Sequence, residues 1–195
     1  MEQMNLYECY QNRIDKKIDE NYKNKKEFAF IVKDLIAEPK VQQMKEYRHH
    51  YFASCYDHCV EVAYWSFLIC KKHNLDYVSA ARAGILHDLF LYDWRKSSRE
   101  VDLDGPHAFE HPKIALQNAS QLTSLNSKEK DIILNHMWPV TFRIPKYRET
   151  FIITFMDKIS ALKACYEFHE EFSTHSKIYQ FTNLFLVSCF IKILT

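Results

Sequence analysis

Glycine is nearly missing from this chain: Gly84 and Gly105 are the two present in 195 residues, beside five prolines. Turns that need left-handed backbone are therefore scarce, and no glycine-rich loop able to cradle a phosphate is present. Pro106, Pro112, Pro139 and Pro145 fall in the second half, near expected helix ends. Alternation of apolar and polar residues over strand lengths is also lacking, whereas helical periodicity runs throughout. The fold class expected is all-α, a single-domain helical bundle.

An excess of one charge is lacking as well. There are 26 Lys and Arg against 25 Asp and Glu, a net charge of +1, and the basic residues of 13–48 alternate with acidic ones. That pattern describes a solvated helix face and argues against a nucleic-acid polymer as partner. The six cysteines show no paired metal or disulfide spacing; Cys55 and Cys59 lie at i and i+4 on one expected helix. With no secretory leader at the N-terminus, reduced thiols and a cytoplasmic location are expected. The apolar run near the C-terminus, Leu184-Phe185-Leu186-Val187-Ser188-Cys189-Phe190-Ile191, falls short of the about 20 residues that span a bilayer. It reads as a closing core helix, and no membrane partner is expected.

What the chain does have is histidine and aspartate at particular places on these helices. Ser54 can cap a helix running to about Lys72, with Asp57 completing a capping box. On it His58 shares a face with Val62, Trp65 and Ile69, and so points inward. A second helix from about Leu75-Asp76 runs through Val78, Ala81, Ile85 and Leu89, placing His87 and Asp88 in its last turns. Asp157 sits within Phe151-Ile152-Ile153-Thr154-Phe155-Met156-Asp157-Lys158-Ile159, expected to be the most buried helix. An ionised carboxylate there needs a strong partner. His111 precedes Pro112, and proline at a first helical position puts His111 at the cap. His136 shares a core-facing stripe with Ile132 and Ile133 at the end of a helix that Pro139 stops.

Each of these residues taken singly is an ordinary core histidine or salt-bridged aspartate; the combination points to metal. Imidazole and carboxylate without thiolate suit divalent Mn, Fe, Co, Ni or Zn. Gly105-Pro106 places His107 in a loop lip above the site, where it would bind substrate or protonate a leaving group. His50 is expected at the rim, and His49, His73, His169 and His175 at the surface. Lys158, Arg95, Lys96, Arg143 and Lys146 lie close enough in sequence to the ligand positions to hold phosphates.

His58, the pair His87-Asp88 and the distant Asp157, with His111 and His136 between them, make the chain resemble the HD superfamily of metal-dependent hydrolases, in its two-metal branch. The resemblance covers about residues 45–165, flanked by N-terminal (1–44) and C-terminal (166–195) helical extensions. It implies that His58, His87, Asp88 and Asp157 bind one metal and that His111 and His136 bind a second, with Asp88 as bridge. It further implies a metal-bridging hydroxide as nucleophile, Asp88 and Lys158 in catalysis, and Lys158 in contact with substrate; His107 joins the catalytic candidates through its place in the lip. The activity implied is phosphohydrolysis of a small phosphorylated metabolite, a nucleotide first, by two ions, Mn²⁺ or Fe²⁺ ahead of Co²⁺, Ni²⁺ or Zn²⁺. Two alternatives keep the fold: a mixed-valent di-iron oxygenase, and a non-catalytic interaction module. A homodimer is compatible with the unassigned extensions.

Overall fold

In a computed structural model, which describes residues 6–49, 53–96, 99–101 and 103–172, with side chains from 19 to 166, seven α-helices form and no strand is found among the described residues. They are α1 (Leu6–Ala37), α2 (Pro39–Gln43), α3 (Cys55–Lys72), α4 (Tyr77–Leu86), α5 (His107–Leu122), α6 (Ser127–Asn135) and α7 (Arg148–Phe172). The all-α expectation holds. No described helix is long and apolar enough to cross a membrane. The apolar run 184–191, His50 and His175 lie outside the described residues, as does the side chain of His169.

Helix starts follow local capping chemistry. Ser54 Oγ accepts from Asp57 N–H (3.1 Å) while the Asp57 carboxylate reaches back to the Ser54 N–H, the expected capping box. Asp76 caps α4 through the Ser79 N–H (3.0 Å), and Asn126 caps α6 in a second box with Glu129. The start of α7 is tied to two other helices at once. Glu149, 4% exposed, accepts from the Asp76 N–H (2.9 Å) and from Lys128 Nζ (2.8 Å).

Helix α3 lies at the centre, packed against α4 and α7, and α4 also meets α1 and α6. Phe28, Val32 and Leu35 form one stripe of α1 buried in the same core as Val62, Phe67, Ile85, Leu86, Ile132 and Ile153. From residue 19 onward the charged opposite face of α1 stays in solvent, and Arg82 of α4 donates from Nη1 to both Asp34 carboxylate oxygens at 2.9 Å.

Three local expectations change. Helix α4 ends at Leu86, so His87 is its C-cap and Asp88 the first residue of the turn beyond. The chain then reverses tightly through Leu91, at φ 51°, with Asn118 Nδ2 donating to the Leu89 carbonyl (2.8 Å). Helix α5 begins at His107, one turn earlier than expected, because the Pro106 carbonyl already accepts from the N–H groups of Phe109 and Glu110. His107 is therefore helical, His111 lies in the second turn, and Pro112 is inside the helix. Helix α7 is half-exposed along one side, with Phe151 and Phe155 each 41% accessible; its inner face is the buried one.

Gly84 sets the spacing of α3 and α4. A Cβ built there would lie 2.6 Å from Ala63 Cα and 2.8 Å from Ala63 Cβ. Gly84→Ala gains about 1 kcal/mol of helix propensity, but backbone cannot yield as a flexible side chain does. The expected net effect is a loss of about 1–3 kcal/mol from overpacking, read by urea unfolding. A variant as stable as the parent would show that the two helices are free to separate.

Candidate metal centre

Helix ends and loops deliver the site. His58 comes from the first turn of α3, His87 and Asp88 from the end of α4, His111 from α5, His136 from the C-cap of α6 and Asp157 from the inner face of α7. The structure brings these six expected residues together, the four histidines and Asp88 each no more than 3% exposed. Their donor atoms fall into two close groups, His58/His87/Asp157 and Asp88/His111/His136, and a third group, His49/His58/Asp88, shares a residue with each.

Asp88 lies between the groups, with one oxygen toward each. Its Oδ1 is 3.3 Å from His111 Nε2 and 3.4 Å from His136 Nε2. Its Oδ2 is 3.9 Å from His58 Nε2 and 3.7 Å from His87 Nε2. On the α7 side, Asp157 Oδ1 is 3.1 Å from His58 Nε2 and 3.8 Å from His87 Nε2.

The imidazole tautomers follow from the outer nitrogens. Nδ1 of His87, His111 and His136 faces a backbone carbonyl, of Gly84 (2.8 Å), His107 (2.8 Å) and Ile133 (2.9 Å) respectively. A carbonyl accepts and cannot donate, so each Nδ1 carries hydrogen, and whenever the ring is neutral its Nε2 turns a lone pair inward. His111 Nε2 and His136 Nε2 stand 2.9 Å apart. Two lone pairs in that position require a proton or a cation between them.

The residues fit a metal on two grounds. Ligands held about 2.0–2.2 Å from a common ion stand about 3.0–3.5 Å apart, close to the separations found. His87 Nε2 and Asp88 Oδ1 are buried and make no hydrogen bond, an arrangement that burial penalises unless a cation satisfies it.

Electrostatics point the same way. Burial works against the charge of Asp88 and Asp157, yet the imidazoles of His87, His111 and His136 around the first and His58 and His87 around the second hold both carboxyls well below the usual range. Burial would also lower His87, but Asp88 and Asp157 raise it to about 9. His136 is lowered, its burial outweighing the Asp88 carboxylate beside it.

Other expected site residues fare differently. Lys158 is half-buried beside the cluster, Nζ near the carbonyls of Thr154 (3.3 Å) and His136 (3.4 Å), and burial lowers its pKa. His107 stacks on His111 (ring centroids 4.4 Å, interplanar 19°) and shares a hydrogen bond with the Tyr92 hydroxyl (2.8 Å). Burial, with His111 beside it, pushes His107 down to about 4, so at neutral pH it is an uncharged hydrogen-bonding group and not a charged acid. Lys158 and His107 line a cavity of about 290 Å³ together with Asp88, His111, His136 and Asp157. Arg95 and Lys96 are not among its lining residues: both are exposed, and Arg95 forks onto Asp93 (2.7 and 2.8 Å). Arg143 and Lys146 line a separate depression with Asp131 and Tyr147.

His49, expected at the surface, is instead a site residue. An antiparallel bridge between Arg48 and Ser54 folds the preceding loop back onto the start of α3, and His49 Nε2 reaches Asp88 Oδ2 at 2.9 Å. Its ring meets His58 edge-on at 3.8 Å, and Trp94 Nε1 donates to its carbonyl (3.0 Å). No helical period marks a loop residue, which is why sequence periodicity passes over it.

Because the raised His87 pKa keeps that imidazole protonated below about 9, a cation entering at neutral pH must displace its proton. Uptake is expected to release at least one proton, with affinity rising as pH rises toward that value. Calorimetry in buffers of different ionisation heat measures the release; a buffer-independent heat would contradict it.

The family model described as HD domain matches residues 55–162. No curated protein and no solved structure matches the chain.

Proposed function

The chain belongs to the HD-domain family, a family of metal-dependent hydrolase type, and from this premise we propose that it hydrolyses a phosphoric ester or anhydride of a small phosphorylated metabolite, in the first place a nucleotide. One observation carries the reading: the Asp88 carboxylate divides its two oxygens between two sets of imidazole nitrogens. In this reading His58, His87, Asp88 and Asp157 hold one divalent ion, and Asp88, His111 and His136 hold a second. Bound there, Mn²⁺ or Fe²⁺ ahead of Co²⁺, Ni²⁺ or Zn²⁺ would supply an activated water and neutralise charge on a phosphoryl group.

The chain's own residues supply the rest. The cavity, about 290 Å³, lies at the small end of ligand pockets, which run from about 300 Å³ upward. That size favours a metabolite over a polymer. Lys158 puts a cation at the wall beside Asp157, where a phosphate approaching the cluster would meet it. Trp94 and the neutral His107, stacked at 5.7 Å with an interplanar angle of 27°, form an aromatic wall suited to a base. Met137, Val140 and Ala161 give the cavity apolar lining that limits competing water. His49 donates to Asp88 Oδ2 and holds that carboxylate in place. Arg95, Lys96, Arg143 and Lys146 have no part in this reading.

Phosphate release from nucleotides, dinucleoside polyphosphates and sugar phosphates with Mn²⁺ or Fe²⁺ tests it. Asp88→Asn is expected to lower kcat/KM by about a thousandfold or more, about 4 kcal/mol of transition-state stabilisation. Lys158→Met is expected to raise KM about tenfold and to change kcat less. Silence across the panel by protein carrying its metal, or parental turnover in Asp88→Asn, would overturn the proposal.

A further inference from the structure

Among the four histidines that meet Asp88 or Asp157 from helices α3 to α6, His58 is held differently. Nδ1 of His87, His111 and His136 is fixed by a main-chain carbonyl, which no side-chain substitution removes. His58 Nδ1 instead faces Ser160 Oγ at 3.2 Å. Ser160 Oγ lies 2.7 Å from Glu61 Oε2 and donates to it. A serine hydroxyl has one hydrogen, and here it goes to the carboxylate, so Ser160 must accept from His58 Nδ1–H. The direction of the chain is fixed: His58 gives to Ser160, Ser160 gives to Glu61, and Lys163 Nζ closes the outer end on Glu61 Oε1.

We infer that Ser160 and Glu61 form a positioning relay that fixes the tautomer and ring orientation of His58 and raises its donor strength toward a divalent cation in the His58/His87/Asp157 group. The inference rests on the metal-binding reading above. Helix geometry supports it: Glu61 lies one turn after His58 on α3, and Ser160 one turn after Asp157 on α7. Helices α3 and α7, two of the three that bring ligands to the cation, therefore also bring the relay. Ser160 is 8% exposed and His58 3%, so both partners of this hydrogen bond are largely buried. Glu61 and Lys163 open onto a cleft that Asp57, His58, Ser160 and Ala164 also line. The second group, on His111 and His136, has no such side-chain relay, since both of its outer nitrogens end on carbonyls. The relay thus acts on one cation position and leaves the other alone.

Titration of the full chain with Mn²⁺ and with Co²⁺ by calorimetry, together with the ¹⁵N shifts of the His58 ring, tests this. Ser160→Ala is expected to weaken one of two binding phases by about 10–100-fold, the range for loss of an outer partner of a metal-binding histidine, and to leave the other phase unchanged. The His58 nitrogens should then lose the single Nδ1–H tautomer. Ser160→Thr, which keeps the hydroxyl, should restore both signals. Glu61→Gln, which still accepts from Ser160 but carries no charge, should keep the tautomer and lose part of the affinity. Parental binding of both ions by Ser160→Ala with an unchanged His58 tautomer would overturn the relay and leave the metal reading standing. A parent chain that binds no ion would overturn both. If Ser160→Ala fails to fold, the Glu61→Gln titration decides: unchanged affinity there contradicts the relay.

Discussion

The interaction on which the rest of this structure depends is the enclosure of one carboxylate, Asp88, by five imidazoles. His49, His58, His87, His111 and His136 all place Nε2 within 3.9 Å of its oxygens. A carboxylate 3% exposed to solvent cannot stay ionised at neutral pH without positive or donating groups around it. The bundle supplies them from α3, α4, α5, α6 and the loop before α3, so the charge at the centre and the packing at the periphery are parts of one arrangement.

That arrangement sets demands on the helices. His58 reaches Asp88 because α3 and α4 approach closely over Gly84, and the Gly84 carbonyl also orients His87. His136 arrives because α6 stops at Asn135, leaving the ring at the helix end. Asp157 arrives because the opening turn of α7 is pinned by Glu149 to α4 and α6. Cys55 and Cys59 fill the space behind the cluster: Cys55 Sγ donates to the Asp88 carbonyl (3.3 Å) and Cys59 Sγ lies 3.7 Å from His87 Nδ1. Both thiols are free and buried, and burial raises the Cys59 thiol well above its ordinary range.

Much of this could be read before the fold was seen, wherever a helix carried the information. The capping box at Ser54 and the stripe of His58 with Val62 and Ile69 fix both the start of α3 and its inner face. The placing of His136 at the end of α6 follows from Pro139 and the isoleucines before it. Legibility fails where helical period does not apply. His49 lies in a loop folded by a single bridge, so its approach to Asp88 depends on tertiary contact. Pro112 marked a helix start that the Pro106 carbonyl had already supplied, and His107 was displaced with it from loop to helix. Arg143 and Lys146 are near Asp157 in sequence, but they line another face of α6, because proximity along the chain says nothing about which side of a helix a loop crosses. The Ser160–Glu61 pair was silent for a similar reason: serine and glutamate one turn from a ligand are common on any helix, and what singles these out is that both meet one imidazole.

The central claim is that Asp88 is shared between two cation positions. Crystals grown with Mn²⁺ and measured at a wavelength where manganese scatters anomalously test it most directly. Two anomalous peaks, one beside each Asp88 oxygen, with His58, His87 and Asp157 around one and His111 and His136 around the other, are the result expected. A single peak that does not touch Asp88, or no peak at this cluster, would contradict it.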